Sequence, residues 1–424
     1  MLLLGIVSVI VLFSTERACA TRGTLGTFPK ATRSLLSGNW VKLICGASNA
    51  DLPLIRNLCY VYTLSGVDCI DVCADTAVVR VAQEAIDAAS SASETCRPLL
   101  MISVNDDEDP HFRKAVFDPR KCPAECKRPC EKVCPAAAIP PLVAPPGGER
   151  GDEGSGVIAE RCYGCGRCEP VCPLGLIINE PYITNRDTIK NLFMTRPESN
   201  LRGVDAIEIH THEGNEAAFQ SLWEDIGEVV LSQASVIAVS FPDMASRTPS
   251  YINRLYGIMA KDEVQHAEFL QGRHGVHIWQ TDGRPMSGDI GMGTAHASSE
   301  FASRMLRALK AGYVDHRGDS SSAGGTNRPI EGQKTIDLFS GKHFLQLAGG
   351  TNAHSVTTAR TNDVLGQRGF GGFAFGGYAR KILGETLREV EESAPGARIE
   401  AEEHHLALEL CLKAAEGLVG GIKG

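Results

Sequence analysis

The chain has 424 residues, of which 43% are hydrophobic and 22% are charged, and its formal net charge at neutral pH is −9. This balance is that of an ordinary globular protein, and the length suits one large domain with an insert. Nucleic-acid binding is not expected, because it requires a basic face that displaces counterions from the phosphates, and this acidic chain has no basic block interleaved with aromatic residues.

Residues 1–39 have the composition of a targeting leader. The run LLLGIVSVIVLF is too short for a membrane span, which needs about 20 apolar residues, and Ala18-Cys19-Ala20 indicates a secretory cleavage site. Residues 21–39 contain no acidic residue and several Ser and Thr residues, as transit peptides do. This bipartite leader predicts import into a plastid, with the mature protein in the stroma and without a membrane span. A wrongly assigned gene start is the alternative.

A strand-helix alternation begins at Trp40 and predicts a barrel. The predicted strands are WVKLICGA (40–47), VDCIDVCAD (67–75), LLMISVND (99–106), VDAIEIHTH (204–212), SVIAVSFPD (235–243), VHIWQTDG (276–283), HFLQLAGGTN (343–352) and GFGGFAFGG (369–377). Residues 40–106 and 181–424 then form the two parts of an α/β fold of the (β/α)8 TIM-barrel type, which typically has about 250 residues. An open doubly wound sheet is the alternative.

Residues 107–180, between the third and fourth predicted strands, do not follow the strand-helix pattern. They contain eight of the 15 cysteines and a linker rich in Pro and Gly at 140–156. An insert at this point follows the carboxyl end of a strand, the face where the active sites of such barrels lie. Cysteines at this spacing in a large chain indicate metal ligands in a reducing compartment rather than disulfides.

The second cysteine run is typical of a 4Fe-4S cluster. Cys162, Cys165, Cys168 and Cys172 follow the C-x2-C-x2-C-x3-C-P spacing of bacterial ferredoxins, in which the fourth cysteine ligates the other of two clusters. A zinc knuckle is the alternative, but it usually has two separated cysteine pairs. We therefore predict an iron-sulfur cluster here.

The first run is spaced more widely, with a cysteine at every fourth position: Cys122, Cys126, Cys130 and Cys134. Two prolines within it exclude a regular helix. Its end, CPAAAIP, resembles CPLGLII at the end of the second run, which predicts a ferredoxin-like pseudo-repeat with exchanged fourth ligands. One 4Fe-4S cluster is then assigned to Cys122, Cys126, Cys130 and Cys172, and the other to Cys134, Cys162, Cys165 and Cys168. A 3Fe-4S centre is the alternative for the first.

Glycine pairs end the last two predicted strands, at Gly349 with Gly350 and at Gly376 with Gly377. Loops at these positions of TIM barrels often bind phosphate through backbone N–H groups. Arg380 adds a positive charge, so a phosphorylated ligand is predicted at the barrel mouth, with FMN as one candidate. Alternatively, the glycines only turn the chain from strand into helix.

Other polar residues lie at predicted strand ends, where barrel chemistry takes place. They are Asp75, Asn105, Asp106, His210, His212, Glu213, Asp243, Asp282 and Asn352. His210 and His212 face one side of a strand and are compatible with a metal ion, but no third ligand is identified. Arg284 and Asp289 in a glycine-rich loop are candidates for a lid or clamp. No catalytic triad is recognised, so enzymatic activity is left open.

Six segments resemble the light-dependent period (LdpA) family of cyanobacteria and plastids. They are VKLICGASNADLPLIRNL, VDCIDVCAD, CPAECKRPCEKVCP, CYGCGRCEPVCP, TDGRPMSGDIGMGTAH and LAGGTNAHSV. The resemblance extends from about Trp40 to about Leu383. It implies an iron-sulfur protein that senses the cellular redox state, adjusts the circadian period to light and reports to clock-input components.

Three functions are compatible with these features. The first is a redox sensor or electron carrier that acts on a redox donor, a redox acceptor or a regulatory protein. The second is an iron-sulfur-dependent oxidoreductase with a flavin or phosphorylated ligand at the barrel mouth. The third is a structural protein in which the clusters only stabilise the fold. The glycine pairs slightly favour the second function, whereas the lack of a catalytic constellation favours the first.

Overall fold

The computed structural model is a closed barrel of eight parallel strands surrounded by helices. It describes residues 30–93, 96–141, 156–195, 201–265, 275–283, 291–314, 335–393 and 399–423. Within these ranges, the strands are β1 (Trp40–Ile44), β2 (Cys69–Cys73), β3 (Leu99–Asn105), β4 (Arg113–Val116), β5 (Ile178–Pro181), β6 (Ala206–His210), β7 (Val236–Pro242), β8 (Val276–Asp282), β9 (His343–Ala348) and β10 (Phe370–Phe375).

The described helices pack around these strands. They are α1 (Lys30–Leu36), α2 (Leu52–Leu64), α3 (Thr76–Ser93), α4 (Pro129–Val133), α5 (Arg186–Phe193), α6 (Glu216–Gln233), α7 (Thr248–Gln265), α8 (Met292–Val314), α9 (Ser355–Thr361), α10 (Gly377–Ser393) and α11 (His405–Lys423). None of the helices in the described ranges combines the length and the apolar character that crossing a membrane requires.

The eight strands predicted from the sequence are all present, in the closed order β1-β10-β9-β8-β7-β6-β3-β2. The prediction of a (β/α)8 barrel is therefore confirmed, and the open doubly wound sheet is excluded. Strands β2, β6, β9 and β10 are buried along their whole length, which explains why they appear as continuous apolar runs. Strand β9 ends earlier than predicted because Gly349 and Gly350 adopt positive φ angles of 61° and 87°.

Helix α1 closes the amino-terminal end of the barrel. Its Leu35 is fully buried in one cluster with Trp40 and Phe344. This helix lies inside the range 1–39 that was predicted as a leader, whereas residues 1–29 lie outside the described residues. The leader and the plastid location remain predictions.

The interior of the barrel changes from apolar to polar toward the carboxyl ends of the strands. The lower layer includes Trp40, Met101 and Ile278. The next layer is polar and buried, and consists of Lys42, Asp71, Ser103, Glu208, Gln280 and Gln346. Lys42 forms an ion pair with Glu208 although β1 and β6 are not neighbours in the sheet, so this pair crosses the interior. Removing one partner would leave an uncompensated buried charge.

The chain leaves the barrel after β3 and returns to it at β6. Between these strands, β4 and β5 pair antiparallel, with Arg113 opposite Pro181 and Val116 opposite Ile178. We call residues 107–183 the cysteine segment. Within the described residues it has its own small hydrophobic core, separate from the barrel core. Most of the predicted linker, residues 142–155, lies outside the described residues.

Hydrogen bonds attach the cysteine segment to the loop after β1. The ammonium group of Lys114 donates to the carbonyl oxygen of Ser48 in this loop, and within the cysteine segment it donates to those of Ala159 and Cys162, each at 2.7 Å. The hydroxyl of Tyr182 lies 2.8 Å from the Ser48 hydroxyl. Because this loop follows the carboxyl end of β1, the cysteine segment lies over the mouth of the barrel.

Candidate iron-sulfur and barrel-mouth sites

Cys134, Cys162, Cys165 and Cys168 line one cavity within the cysteine segment. Three of these residues come from the second run and one from the first. Cys162 and Cys168 are buried, so this cavity lies inside the fold rather than on its surface. The grouping is the one that an exchange of fourth ligands between the two runs requires.

A second cavity in the cysteine segment is lined by the complementary set, Cys122, Cys126, Cys130 and Cys172. Phe117, Leu174 and Ile177 complete its apolar wall. Helix α4 carries Cys130 into this cavity and begins at Pro129. A proline is tolerated there because the first helical N–H has no partner within the helix.

The chain makes the same turn after the last cysteine of each run. The Ala138 N–H donates to Cys134 Sγ at 3.2 Å, and the Leu176 N–H donates to Cys172 Sγ at 3.4 Å. Both turns pass through a positive φ angle three residues after the cysteine, 48° at Ala137 and 62° at Gly175. The two halves are therefore geometrically equivalent, and amide N–H groups point at cluster-binding sulfurs in such sites.

These two cavities suit iron-sulfur clusters in their donor atoms. No described cysteine forms a disulfide. At Cys172 burial would raise the thiol pKa, but the backbone N–H groups of Leu176, Leu174 and two neighbours outweigh it and lower that pKa. A lowered pKa favours the thiolate, which is the form that binds metal. Burial instead raises the pKa of four other cysteines, Cys122, Cys130, Cys165 and Cys168, so metal binding has to displace their protons.

Gly164 provides the space that the second run needs. Its φ angle is 69°, and a Cβ atom there would lie 2.3 Å from the carbonyl oxygen of Arg113. The Arg113 guanidinium in turn donates from Nε to the Gly164 carbonyl at 3.0 Å. Only glycine satisfies both the backbone conformation and this close approach to β4.

A separate cavity of about 110 Å³ opens at the carboxyl ends of the barrel strands. Its wall includes all five residues that were predicted to bind a phosphorylated ligand: Gly349, Gly350, Gly376, Gly377 and Arg380. Ser103, Glu208 and Gln280 of the polar layer form its floor. Cys165 borders this cavity as well as the four-cysteine cavity above it, so the two sites are adjacent.

Arg380 connects the barrel to the cysteine segment at this cavity. Its Nη1 donates to the carbonyl of Ile44 at 2.8 Å, and its guanidinium lies 4.4 Å from the centre of the Tyr163 ring. Such a cation–π contact is attractive by about 0.5–2 kcal/mol. Arg380 Nε is buried and has no hydrogen-bond partner among the described residues. Arg380 thus contacts the barrel on one side of the mouth cavity and the cysteine segment on the other.

The other sequence-predicted polar residues separate into two groups. His210 and Asp282 line the mouth cavity. The other seven do not line it: His212 lies beside Asp109, and six residues form hydrogen bonds or ion pairs elsewhere. Asp75 accepts from the N–H of Ala77 at the start of α3, Asn105 holds the Tyr182 carbonyl, Asp106 accepts from Asn215, Glu213 pairs with Arg247, Asp243 pairs with Arg304, and Asn352 holds the Gly291 carbonyl. Arg284 and Asp289 lie outside the described residues.

Asp109 and His111 were not identified from the sequence, yet the structure places them beside His210 and His212. Asp109 Oδ1 lies 2.8 Å from His111 Nδ1, and Asp109 Oδ2 lies 3.2 Å from His212 Nδ1. Their signal was the stretch DEDPH directly after the third strand, which repeats the pattern of polar residues at strand ends. This stretch was assigned to the cysteine-rich insert, so it was not considered as part of the barrel mouth.

Charged side chains in the polar layer below the mouth cavity shift one another's pKa values. Burial would raise the Glu208 pKa, but Lys42 and His210 outweigh it and hold that pKa well below its usual range. Burial would lower the His210 pKa, but Glu208 and Asp109 raise it to about 9. Burial and the nearby Glu208 raise the pKa of Asp71 to about 7. The polar layer therefore holds charges of both signs below the opening, and Asp71 exchanges its proton near neutral pH.

Two solved structures that match this chain share little sequence with it. The carboxyl transferase domain of Rhizobium etli pyruvate carboxylase with pyruvate is 10% identical at a TM-score of 0.33, over 91% of this chain and 51% of that chain. The same domain with pyruvate and biocytin is 9% identical at a TM-score of 0.33, over 91% and 49%. The chain thus spans about half the length of these structures, and we draw no conclusion from them.

Sequence comparisons are more specific. Residues 122–183 match the LdpA Fe-S cluster-binding domain, and residues 200–340 and 317–421 match the Light dependent period A C-terminal domain. Light dependent period A of Synechococcus elongatus is 39% identical over 393 residues, which cover 92% of this chain and 93% of that protein. The resemblance stated from the sequence motifs is confirmed, and the chain belongs to the light dependent period A family.

Proposed function

We propose that this protein binds two 4Fe-4S clusters in the cysteine segment, inserted between the third and fourth barrel strands, and that it senses redox state through them. The observation that carries the proposal is the division of eight cysteines into two sets of four, each around its own cavity. The match to an Fe-S cluster-binding domain supports it. The name of the Synechococcus relative, Light dependent period A, supports a role that depends on light and concerns a period. That this period is circadian, and that the protein acts in the plastid, are further parts of the proposal, which rest on the family resemblance and on the composition of residues 1–39.

The contacts around Cys165 provide a path for the redox signal. Adding one electron to the cluster at Cys165 changes the charge beside the mouth cavity, which Cys165 borders. Tyr163, two residues away, carries the guanidinium of Arg380 on its ring. Electrostatic interactions in such a partly buried site are stronger than in water. A change of cluster charge therefore changes the electrostatic potential at Arg380 and at the start of α10.

The other cluster lies near a surface that an electron donor, an electron acceptor or a regulatory protein can reach. Leu174 lines the cavity of Cys122 and is 54% exposed. Ile178 and Ile183 nearby are each 53% exposed. Small contact surfaces of this kind suit weak, transient redox encounters.

Anaerobic purification followed by iron and sulfide analysis tests the proposal. We expect about eight iron atoms and about eight acid-labile sulfides per chain, four of each for every cluster. Reduction with dithionite should produce the electron paramagnetic resonance signal of reduced 4Fe-4S clusters. A protein that contains zinc in the cysteine segment, or about four iron atoms or fewer, contradicts the proposal.

A second candidate function is an iron-sulfur-dependent oxidoreductase, favoured by the position of Cys165 between its cluster cavity and the mouth cavity. The mouth cavity of about 110 Å³ is smaller than the roughly 300–1,000 Å³ of typical ligand pockets. This size favours a small phosphorylated ligand over FMN. Release of flavin after acid denaturation of the purified protein would establish the flavin enzyme, and its absence would favour the sensor.

A further inference from the structure

Five side chains with metal-binding groups converge at the mouth of the barrel from three different places in the chain. Asp109 and His111 lie in the loop after β3, His210 and His212 lie at the end of β6, and Asp282 ends β8. None of them belongs to the cysteine runs. Their convergence therefore has to be explained separately from the proposed clusters.

The donor atoms of this group lie close enough to share one ion. One ligand atom each of Asp109, His111 and His210 lies within 4.8 Å of the others. His212 Nδ1 lies 3.2 Å from Asp109 Oδ2. This histidine nitrogen is buried and forms no hydrogen bond with the described residues. Asp282 Oδ2 lies 3.5 Å from His111 Nε2 and provides a second carboxylate at the same place.

Residues around this group fix the orientation of its donor atoms, as residues next to metal ligands do in known sites. The Nε2 atom of His210 lies 3.2 Å from Glu208 Oε1, while its Nδ1 faces Asp109 at 3.9 Å. Glu208 is itself fixed by Lys42 and by Gln280, whose Nε2 donates at 2.5 Å. A histidine that binds a metal usually gives its second ring N–H to a carboxylate, which fixes the ring and its tautomer.

Asp109 is held in place by the chain next to it. The backbone N–H of His111 donates to Asp109 Oδ1 at 2.6 Å, and the carboxylate is buried. Its Oδ2 atom faces His210 and His212 instead of water. Burying a carboxylate requires compensating positive charge, which protonated histidines or a cation can supply.

We propose that Asp109, His111 and His210, assisted by His212, bind one divalent transition-metal ion at the mouth of the barrel. Imidazole and carboxylate donors suit Zn²⁺, Fe²⁺ and related ions, and two histidines with one carboxylate form a common site with open positions. His111 and His210 both border the mouth cavity, so open positions on the ion face it. None of its ligands is a cysteine of the two proposed iron-sulfur clusters.

Zinc titration of the full chain tests this site, with its clusters assembled anaerobically. Isothermal titration calorimetry of the wild type should show one zinc ion bound per chain. Asp109→Asn and His210→Gln each remove a ligand and should weaken zinc binding at least tenfold. Substituting a residue that only contacts a metal ligand already weakens binding by about this factor. His405→Gln changes an exposed histidine on α11 and should bind zinc as the wild type does.

Zinc K-edge absorption spectroscopy identifies the donors directly. The proposed site contains only nitrogen and oxygen donors, at about 2.0–2.2 Å from zinc, whereas thiolates bind at about 2.3 Å. A wild-type protein without bound zinc overturns the proposal, as does a sulfur-containing shell or unchanged binding in the two ligand variants. If either variant fails to fold, His212→Gln at the half-buried position replaces it, with a smaller expected loss. Iron content reports separately on the clusters.

Discussion

The barrel and the cysteine segment are stabilised in different ways. The barrel core contains many large apolar side chains, among them Trp223, Trp279 and Phe241. The core of the cysteine segment is much smaller, and four of its ten buried members are the cysteines Cys122, Cys130, Cys162 and Cys168. Small cores rarely stabilise a fold without disulfides or metals. The comparison indicates that the barrel folds by hydrophobic burial, whereas the cysteine segment depends on the proposed clusters.

The largest expected effect follows from removing one cluster ligand. This change tests whether the barrel and the cysteine segment fold independently. In Cys165→Ser we expect loss of about half of the iron, since one of two 4Fe-4S clusters loses a thiolate. Far-ultraviolet circular dichroism should still show a folded barrel, because no barrel strand depends on that cysteine. Iron analysis and circular dichroism on the same sample check both expectations.

Cys73→Ser is the matched control for this change. Cys73 is buried near the end of β2 and lies outside both cysteine cavities, and its thiol donates to the Asn49 carbonyl at 3.2 Å, a bond that serine also makes. We expect its iron content to equal that of the wild type. Global unfolding of Cys165→Ser would show that the two regions are not independent.

The next largest effect concerns the barrel alone. Lys42→Met removes the ammonium group that pairs with the buried Glu208 carboxylate and leaves His210 as its remaining cationic neighbour, which should lower the free energy of unfolding by about 3–5 kcal/mol. Urea unfolding measures this loss, while the iron content of the folded protein should remain unchanged. Lys190→Met at a surface pair should change stability by less than about 1 kcal/mol. A small effect in Lys42→Met would mean that His210 or water compensates the charge of Glu208.

A smaller effect is expected for the glycines of the cysteine segment. Gly164 and Gly175 both have positive φ angles, but a Cβ atom at Gly164 meets the Arg113 carbonyl at 2.3 Å, whereas at Gly175 it meets open space. Gly175→Ala should therefore cost only about 1–2 kcal/mol of conformational strain, and Gly164→Ala should cost more. The rate of iron release to a chelator measures the difference, and equal rates would contradict the role given to the close approach.

The smallest effect is a pH dependence at the opposite end of the barrel. Burial, together with His277 and Lys342, lowers the pKa of His343 well below its ordinary value of 6.5. Below pH 6.5 the unfolded chain binds a proton that the folded barrel does not. Stability is therefore lost as the pH falls, by up to about 1.4 kcal/mol per pH unit.

His343→Gln removes this contribution and should flatten the decrease in stability between pH 6.5 and pH 5. Urea unfolding at several pH values checks it, with His405→Gln at the exposed start of α11 as the control that keeps the wild-type slope. An unchanged slope in His343→Gln would show that His343 becomes protonated without unfolding.

Much of the fold was accessible from local patterns. The strands were predicted because a buried parallel strand is an apolar run between turn residues, as in AIEIH and HFLQLA. Their ends were less accurate, since the φ angles of Gly349 and Gly350 are set by the turn into α9. The glycine pairs and Arg380 were predicted as one site and do line one cavity.

The sequence by itself determined the barrel and the two runs of cysteines, because periodicity and ligand spacing are local properties of a chain. Only the tertiary structure decided that Lys42 meets Glu208, 166 residues away, and that Asp109 and His111 meet His210. These contacts arise when the sheet closes and brings the ends of distant strands to one mouth. No local pattern records such a meeting, since each partner is an ordinary polar residue until the barrel surrounds it.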